Sequence, residues 1–515
     1  MPDDVGQVIG TTTLRLFRFV IKQSKESLVK RDEFVVVPES VTGKNVLGVV
    51  KEIMISNELL PDEFGRDLRL ADIVLSEGEY PIATVKILGS EGDDGLELPR
   101  HGVLPGSKVG LAPDETIKKL LAQDTGKAAQ MGTLSTRKTI PVHIAINELI
   151  SRHCAVLAMT GAGKSYTVGV LIEELLSKKG SIIVFDPHGE FKELALDGSE
   201  TRVFGVDGGN NIRVQVSSLS TADYSNLIPD LTPTQKDLLD EVLSMVYRFY
   251  DNYDLENVLN LIGLIYDMKS KNDSNSPAAD IFPHEIIQSA TKKVSLSTIG
   301  ALMRRIKRLE RMGIFNATGT PLEELVAVNQ LSVINLSEAD ERVSETIIAA
   351  ILRNIFEARK RYVKDEGEGV RLEIPTFIII EEAHNFAPRS MDERSVLCRN
   401  IIRKIAREGR KFGVGLCLVS QRPNKLDSDV LSQCNTQIIM KIMNPSDQEY
   451  IRQSVETVTE DIVRDLPSLS RGEAIIVGSA INLPVAVKIR ERKTKVGGGD
   501  LDFVNIWSEK NGKKD

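Results

Sequence analysis

The middle and last parts of the chain alternate short apolar runs with stretches of helical spacing. Ala155–Thr167, AVLAMTGAGKSYT, reads as an apolar strand running into a glycine-rich turn that opens a helix. After Ser165 the apolar residues Val168, Leu171, Ile172, Leu175 and Leu176 recur at three-and-four spacing, and Gly180 offers a stop. Ser181–Phe185, SIIVF, follows as a buried strand ending at Asp186. Strand, turn, helix and strand make one βαβ unit, which predicts a parallel sheet. The same rhythm returns later in the chain. It predicts a strand at Leu331–Leu336, a helix at Glu341–Arg361, a strand at Phe377–Glu381 and a helix at Asp392–Gly409. Further strands are expected at Gly413–Ser420, near Gln437–Ile442 and near Glu473–Val477.

Residues 1–115 carry a different pattern. The runs Leu14–Ile21, Phe34–Val37, Val46–Ile55 and Pro81–Leu88 are apolar or alternating, and Gly, Pro and charged turns separate them. Arg100–Pro113 is turn chemistry, so a small β-barrel is expected, followed by a short helix at Glu115–Ala122 and a strand at Thr139–Ile146. Between 217 and 330 the β signal fades; Asp237–Tyr250 and Leu255–Met268 have helical periodicity and Lys271–Pro277 reads as a loop. The expected division is therefore a barrel (1–115), a first part of an α/β core (116–216), a helical insertion (217–330), a second part of the core (331–489) and a charged tail (490–515). That tail contains Gly497–Gly499 and the lone tryptophan, Trp507.

Composition narrows the class. With 515 residues, 41% hydrophobic and 27% charged, the chain has ordinary globular values and room for two or three domains. No apolar run approaches membrane-spanning length and MPDDVGQVIG lacks a basic-then-apolar leader, so a cytoplasmic protein without membrane contact is expected. The four cysteines, Cys154, Cys398, Cys417 and Cys434, form no paired motif, and buried thiols are expected rather than a zinc site. A net charge of −8 excludes a chain basic throughout but leaves room for a local basic surface.

Two stretches carry chemistry. In a glycine turn ending in Lys-Ser, backbone N–H groups and the helix dipole face phosphates. Gly161 and Gly163 keep side chains out of the way, Lys164 reaches the β- and γ-phosphates, and the Ser165 hydroxyl ligates Mg²⁺. Thr160, Ala162 and Tyr166 complete the expected ATP contacts. The pattern G-x-x-x-x-G-K-[ST] is departed from once, at Ala158, where the strand is still ending. Thr376–His384, TFIIIEEAH, is an apolar strand ending in two carboxylates. Glu381 takes the metal position, where aspartate is commoner, and Glu382 is placed to orient and deprotonate a water.

In the order MTGAGKSYT, FDPHGE, IIIEEAH, REGRKFGVG and SQRP, these motifs resemble the HerA family of archaeal hexameric DNA-translocating ATPases, within the HerA/FtsK superfamily. The resemblance implies a RecA-like (additional-strand, catalytic-glutamate) P-loop ATPase core with an N-terminal barrel and a helical insertion. It implies ATP and Mg²⁺ as cofactors, a homo-hexamer, double-stranded DNA ends as substrate, and a NurA-type nuclease as partner in end resection and double-strand-break repair. Glu382 matches the catalytic carboxylate and Gln421 a polar sensor of the γ-phosphate; the lesser alternative for Gln421, without the family pattern, is a turn residue before Pro423. Arg407, with Arg410 next, matches an arginine finger entering the neighbour's site, against the alternative of a solvated basic helix face. Arg152 and Arg471 resemble nucleotide-touching residues. Asp186 and Glu190 read as tuning the metal's water, as facing the DNA channel or as a strand-end turn. The basic stretch Met303–Met312 reads as a solvated helix or a face toward DNA. A conjugation- or secretion-type motor and an ATP-gated scaffold for a nuclease remain alternative functions.

Overall fold

The computed structural model describes residues 4–57, 79–92, 95–206, 210–271, 294–390 and 396–495. By contacts the chain forms two compact units: Met1–Ala145 with Thr459–Asp465 and Glu473–Arg490, and Ile146–Val458 with Leu466–Gly472 and Glu491–Asp515.

In the first unit the strands β1 (Asp4–Ile9), β2 (Leu16–Ile21), β3 (Phe34–Pro38), β4 (Asn45–Asn57), β5 (Glu79–Gly92), β6 (Gly95–Glu97) and β7 (Lys108–Leu111) form one antiparallel sheet. Its order is β2-β1-β7-β3-β4-β5-β6, and a β2–β5 pairing closes six of the strands into a barrel. Alternation fills it: Phe17, Phe19 and Ile21 of β2 point inward with Val5, Val8, Val35, Val37, Val46, Val50 and Val85. After the helix Asp114–Leu120 come β8 (Ala128–Leu134) and β9 (Pro141–Ala145), an antiparallel pair.

The second unit is the α/β core. It contains β10 (Cys154–Leu157), β11 (Ser181–Asp186) and β12 (Glu200–Phe204), then a two-residue parallel pair, β13 (Val214–Gln215) and β14 (Phe315–Asn316), that brackets the helical stretch. β15 (Gln330–Asn335), β16 (Thr376–Ile380), β17 (Val414–Ser420) and β18 (Thr436–Ile439) complete a run of seven neighbouring parallel strands, ordered β12-β15-β11-β16-β17-β10-β18. Nearly every residue of β10, β11, β16 and β17 is buried, as helices on both faces of a parallel sheet require. β17 stands between the strand leading into the glycine turn and the strand ending in the carboxylates. The chain then re-enters the first unit with β19 (Glu473–Gly478) and β20 (Val485–Ile489), where β19 pairs with β20 and β20 with β8, all antiparallel.

The helical stretch consists of Thr221–Leu227, Pro233–Phe249, Leu255–Lys271 and Leu296–Glu310. Capping boxes at Ser220 and Thr232 start the first two. Asp223, fully buried, receives Arg353 of the core helix Glu341–Lys364 at 2.6 Å, which fastens the insertion to the core.

Several expectations need adjusting. By contacts the unit that holds the barrel also takes in residues up to Ala145, where the predicted strand at Thr139–Ile146 pairs as β9 with β8, while the barrel strands themselves end at Leu111. Residues 459–465 and 473–490, expected in the core, fall in the first unit, and the helical insertion shares its unit with the core. Arg100–Pro113 holds a strand, β7, besides its turns. The helix expected to stop at Gly409 runs from Val396 to Phe412, and Gly413, at φ +69°, makes the turn. The loop at Lys271–Pro277, the helix start at Asp392, Gly497–Gly499 and Trp507 lie largely or wholly outside the described residues. All four cysteines are buried and free, and among the described residues no group of ligating side chains could hold a zinc ion. Among them, too, no helix is long and apolar enough to cross a membrane.

Candidate nucleotide-binding site

The glycine turn hangs between two neighbours of β10. Ala158 is fully buried and its N–H donates to Ser420 O at 3.2 Å, while Met159 N–H donates to Lys441 O at 2.9 Å. An alanine therefore serves where the pattern has glycine. Gly161 (φ +79°) and Gly163 (φ +101°) are both left-handed, which a side chain would disfavour. Gly163 starts the helix Lys164–Ser177 without a side-chain cap, so the amides of that first turn are left for an anion.

Opposite lies the end of β16. Glu381 and Glu382 are 3% and 2% exposed. Glu382 adopts φ +48°, a left-handed conformation that a non-glycine residue holds only when its surroundings impose it. That turn lets two consecutive carboxylates converge. Lys164 Nζ stands 3.0 Å from Glu381 Oε2 and 2.5 Å from Glu382 Oε1. Gln421, just past the end of β17, donates from Nε2 to Glu382 Oε1, and its Oε1 accepts from the Thr160 hydroxyl. A closed circuit thus joins glycine turn, acidic strand end and the intervening strand.

The two carboxylates are shifted in opposite directions. Burial pushes Glu381 up to about 7, with Glu190 and Glu382 acting in the same direction against Lys164. Burial also raises Glu382, but the Lys164 charge and the hydrogen bonds from Lys164 and Gln421 outweigh it and hold that carboxyl below its ordinary range. Lys164 itself is raised, because the two glutamates overcome its desolvation. Glu381 Oε1 is buried with no hydrogen-bond partner. Glu381 thus offers a carboxylate with an orphan oxygen, and Ser165, the residue after Lys164 in the first turn of the helix, a hydroxyl; both are donor types that fit Mg²⁺.

Other expected residues divide. Arg471 is exposed beside the turn, next to Gly472, whose N–H donates to Ala162 O at 3.2 Å. Arg152 lies at the opposite end of β10 from the turn and pairs with Glu148 at 2.9 Å, so it is not brought to this site. The Tyr166 hydroxyl accepts from Arg492 N at 2.6 Å, which turns its side chain toward residues 491–495. Asp186 is fully buried and accepts from His188 N and Phe191 N, the strand-end turn among its three readings. Of the basic run on the helix Val396–Phe412, Arg399 and Arg403 are tied to Asp427, and Lys404 to Glu357. Arg407 is 61% exposed, with only a 3.4 Å approach to Asp429, and Arg410 is exposed. Sequence reasoning assigns no role to three motif residues that gather here: His384, whose Nδ1 is 3.3 Å from Glu382 Oε2, Ser420, 3.1 Å from that same nitrogen, and His188, whose Nε2 is 4.0 Å from Glu382 Oε1.

A family model described as "Helicase HerA, central domain" matches residues 129–355. The DNA double-strand break repair helicase HerA of Pyrococcus furiosus is 32% identical over 562 residues, spanning 99% of this chain and 97% of the relative. The chain belongs to the HerA family. The protein of the same name from Sulfurisphaera tokodaii is 30% identical over 529 residues, covering 98% of this chain and 96% of its own. The fold of this HerA-family chain is that of a RecA-like P-loop ATPase. VirB4 of Thermoanaerobacter pseudethanolicus shares it at a TM-score of 0.50 and 18% identity, over 72% of this chain and 98% of VirB4.

Proposed function

We propose that this HerA-family chain is a cytoplasmic ATP-driven translocase and helicase that moves duplex DNA through a homo-hexameric ring. It acts with a NurA-type nuclease in resecting DNA ends for double-strand-break repair. The observation that carries the reading is the convergence of Lys164 on Glu381 and Glu382, with Gln421 closing the circuit to Thr160. A group of switchable ion pairs at that point suits turnover better than static binding.

ATP lies with its phosphates against the amides of Gly161–Ser165, and Lys164 exchanges the carboxylates for the β- and γ-phosphates. Ser165 and Glu381 would hold Mg²⁺, which neutralises phosphate charge. Glu382, relieved of its ion pair and still gripped by Gln421, takes a proton from the water whose oxygen attacks the γ-phosphorus as the bond to ADP breaks. Gln421 and Thr160 carry the change to β17 and the turn. Arg407, with Arg410 next, enters a neighbour's site and offsets the charge on the transferring group, which makes hydrolysis depend on assembly. Arg471 reaches the nucleotide from beside the turn. Contacts to the DNA are with backbone phosphates and therefore sequence-independent.

ATP turnover measured with and without linear duplex DNA tests this reading. Linear duplex stimulates turnover, and raised salt suppresses the stimulation. Turnover indifferent to DNA at every salt concentration overturns the DNA motor in favour of a motor for protein cargo.

A further inference from the structure

The two oxygens of the Glu382 carboxylate are treated unequally. Oε1 receives Lys164 and Gln421, whereas Oε2 is buried and no hydrogen bond closes on it. The polar atom facing Oε2 is His384 Nδ1, at 3.3 Å. That nitrogen is also 3.1 Å from Ser420 Oγ, which accepts the Arg422 N–H at 3.1 Å. Ser420 is fully buried and is the last residue of β17, directly before Gln421. Consecutive residues of one strand end thus address the two oxygens of one carboxylate, Gln421 directly and Ser420 through the imidazole.

We propose that His384, anchored by Ser420, is a positioning residue that aims the Glu382 carboxylate. The proposal rests on Glu382 acting as the base. With its hydrogen on Nδ1 the ring bonds Ser420 Oγ at 3.1 Å and turns the same positive N–H edge toward the anionic Oε2 at 3.3 Å, which an Nδ1 lone pair would repel. The imidazole has a single N–H to place: burial pushes its pKa down to about 4, and Arg422, Lys164 and Lys425 add to that against Glu382. The same ring also lines a cavity of about 670 Å³ together with Arg308, Arg342, Glu345 and Asn385. The role becomes decisive during turnover. Once Lys164 has swung to the phosphates, Gln421 and His384 are, among the described residues, the side chains within 3.5 Å left to hold Glu382, with His188 Nε2 farther off at 4.0 Å from Oε1.

The experiment compares His384→Asn, His384→Gln, His384→Ala and Ser420→Ala in the full chain, measuring kcat, KM for ATP and thermal unfolding. Asparagine presents its amide nitrogen where Nδ1 lies, and glutamine presents it where Nε2 lies. A displaced base slows the chemical step and leaves binding alone, so kcat is expected to fall about 10- to 100-fold in the Ala and Gln variants with KM within about twofold. The Asn variant retains kcat within about threefold, and Ser420→Ala falls between them. Wild-type kcat in His384→Ala, or equal losses in the Asn and Gln variants, overturns the proposal, the second by showing that only packing matters. Should His384→Ala fail to fold, the Asn–Gln contrast decides. Glu382→Gln assayed alongside separates the two levels. Inactive Glu382→Gln with active His384→Ala removes only the positioning role, whereas wild-type turnover in Glu382→Gln removes the base itself.

Discussion

At the scale of single residues, burial decides which carboxyls carry charge. Glu345 is 4% exposed, has an oxygen without a hydrogen-bond partner, and is pushed up to about 7, chiefly by desolvation. Its native-state pKa lies above the ordinary 4.5, so its contribution to stability is complete below about pH 4.5 and disappears as pH rises through about 7. Glu345→Gln lacks this dependence. Denaturant unfolding at pH 5.5 and 7.5 is expected to show the wild type losing roughly 1–3 kcal/mol relative to the variant over that interval. Parallel pH dependence in the two proteins would contradict it. The residues legible from sequence were those whose partners lie within one motif: Lys164 and Ser165 on the turn, Glu381 and Glu382 on the strand end. His384 was in view within TFIIIEEAH, but its meaning depends on Ser420, supplied by another strand. Arg152 sits near the glycine turn in sequence, yet strand direction carries it to the far end of β10.

Among elements, the helix Val396–Phe412 shows how one strongly basic run serves two ends. Arg399 and Arg403 meet Asp427 at 2.8 and 2.7 Å, and Asp427 also accepts Val430 N at 3.1 Å to cap the helix Ser428–Gln433. With its N-terminal arginines consumed in this way, the helix leaves Arg407 and Arg410 outward. Asp427→Ala strands Arg399 in the interior and removes a cap, so a loss of about 3–5 kcal/mol is expected by denaturant unfolding. Asp429→Ala, at a half-exposed carboxylate, costs less than about 1 kcal/mol. Equal effects of the two would sink this division. Periodicity found the long helices and the buried parallel strands because each repeats its signal over many residues. It missed the short or half-exposed β6, β12, β13, β14 and β20, and also β1, β7 and β8, where glycines such as Gly6 and Gly132 interrupt short alternations. Gly409 misled for a related reason: a Cβ there would meet the Val414 carbonyl, so that glycine serves close packing inside the helix rather than its end.

For the whole molecule, the distribution of the chain over its two units was least legible. Strand β20 pairs with β8 from far earlier in the chain, and no local signal marks such long-range pairing. The proposed ring adds a dependence between subunits. Mixing Arg407→Ala with Lys164→Ala protein should restore part of the lost ATPase activity, since a mixed boundary can join an intact turn to an intact arginine. The absence of rescue at every ratio, with mixed assemblies shown by particle mass, would exclude Arg407 from acting across the boundary. The most direct test of the central claim is Glu382→Gln in the assembled protein, with nucleotide affinity and ATP hydrolysis measured on one preparation with linear duplex DNA. The account predicts ATP affinity close to wild type and hydrolysis reduced about 10²- to 10⁴-fold. Hydrolysis at the wild-type rate would contradict it.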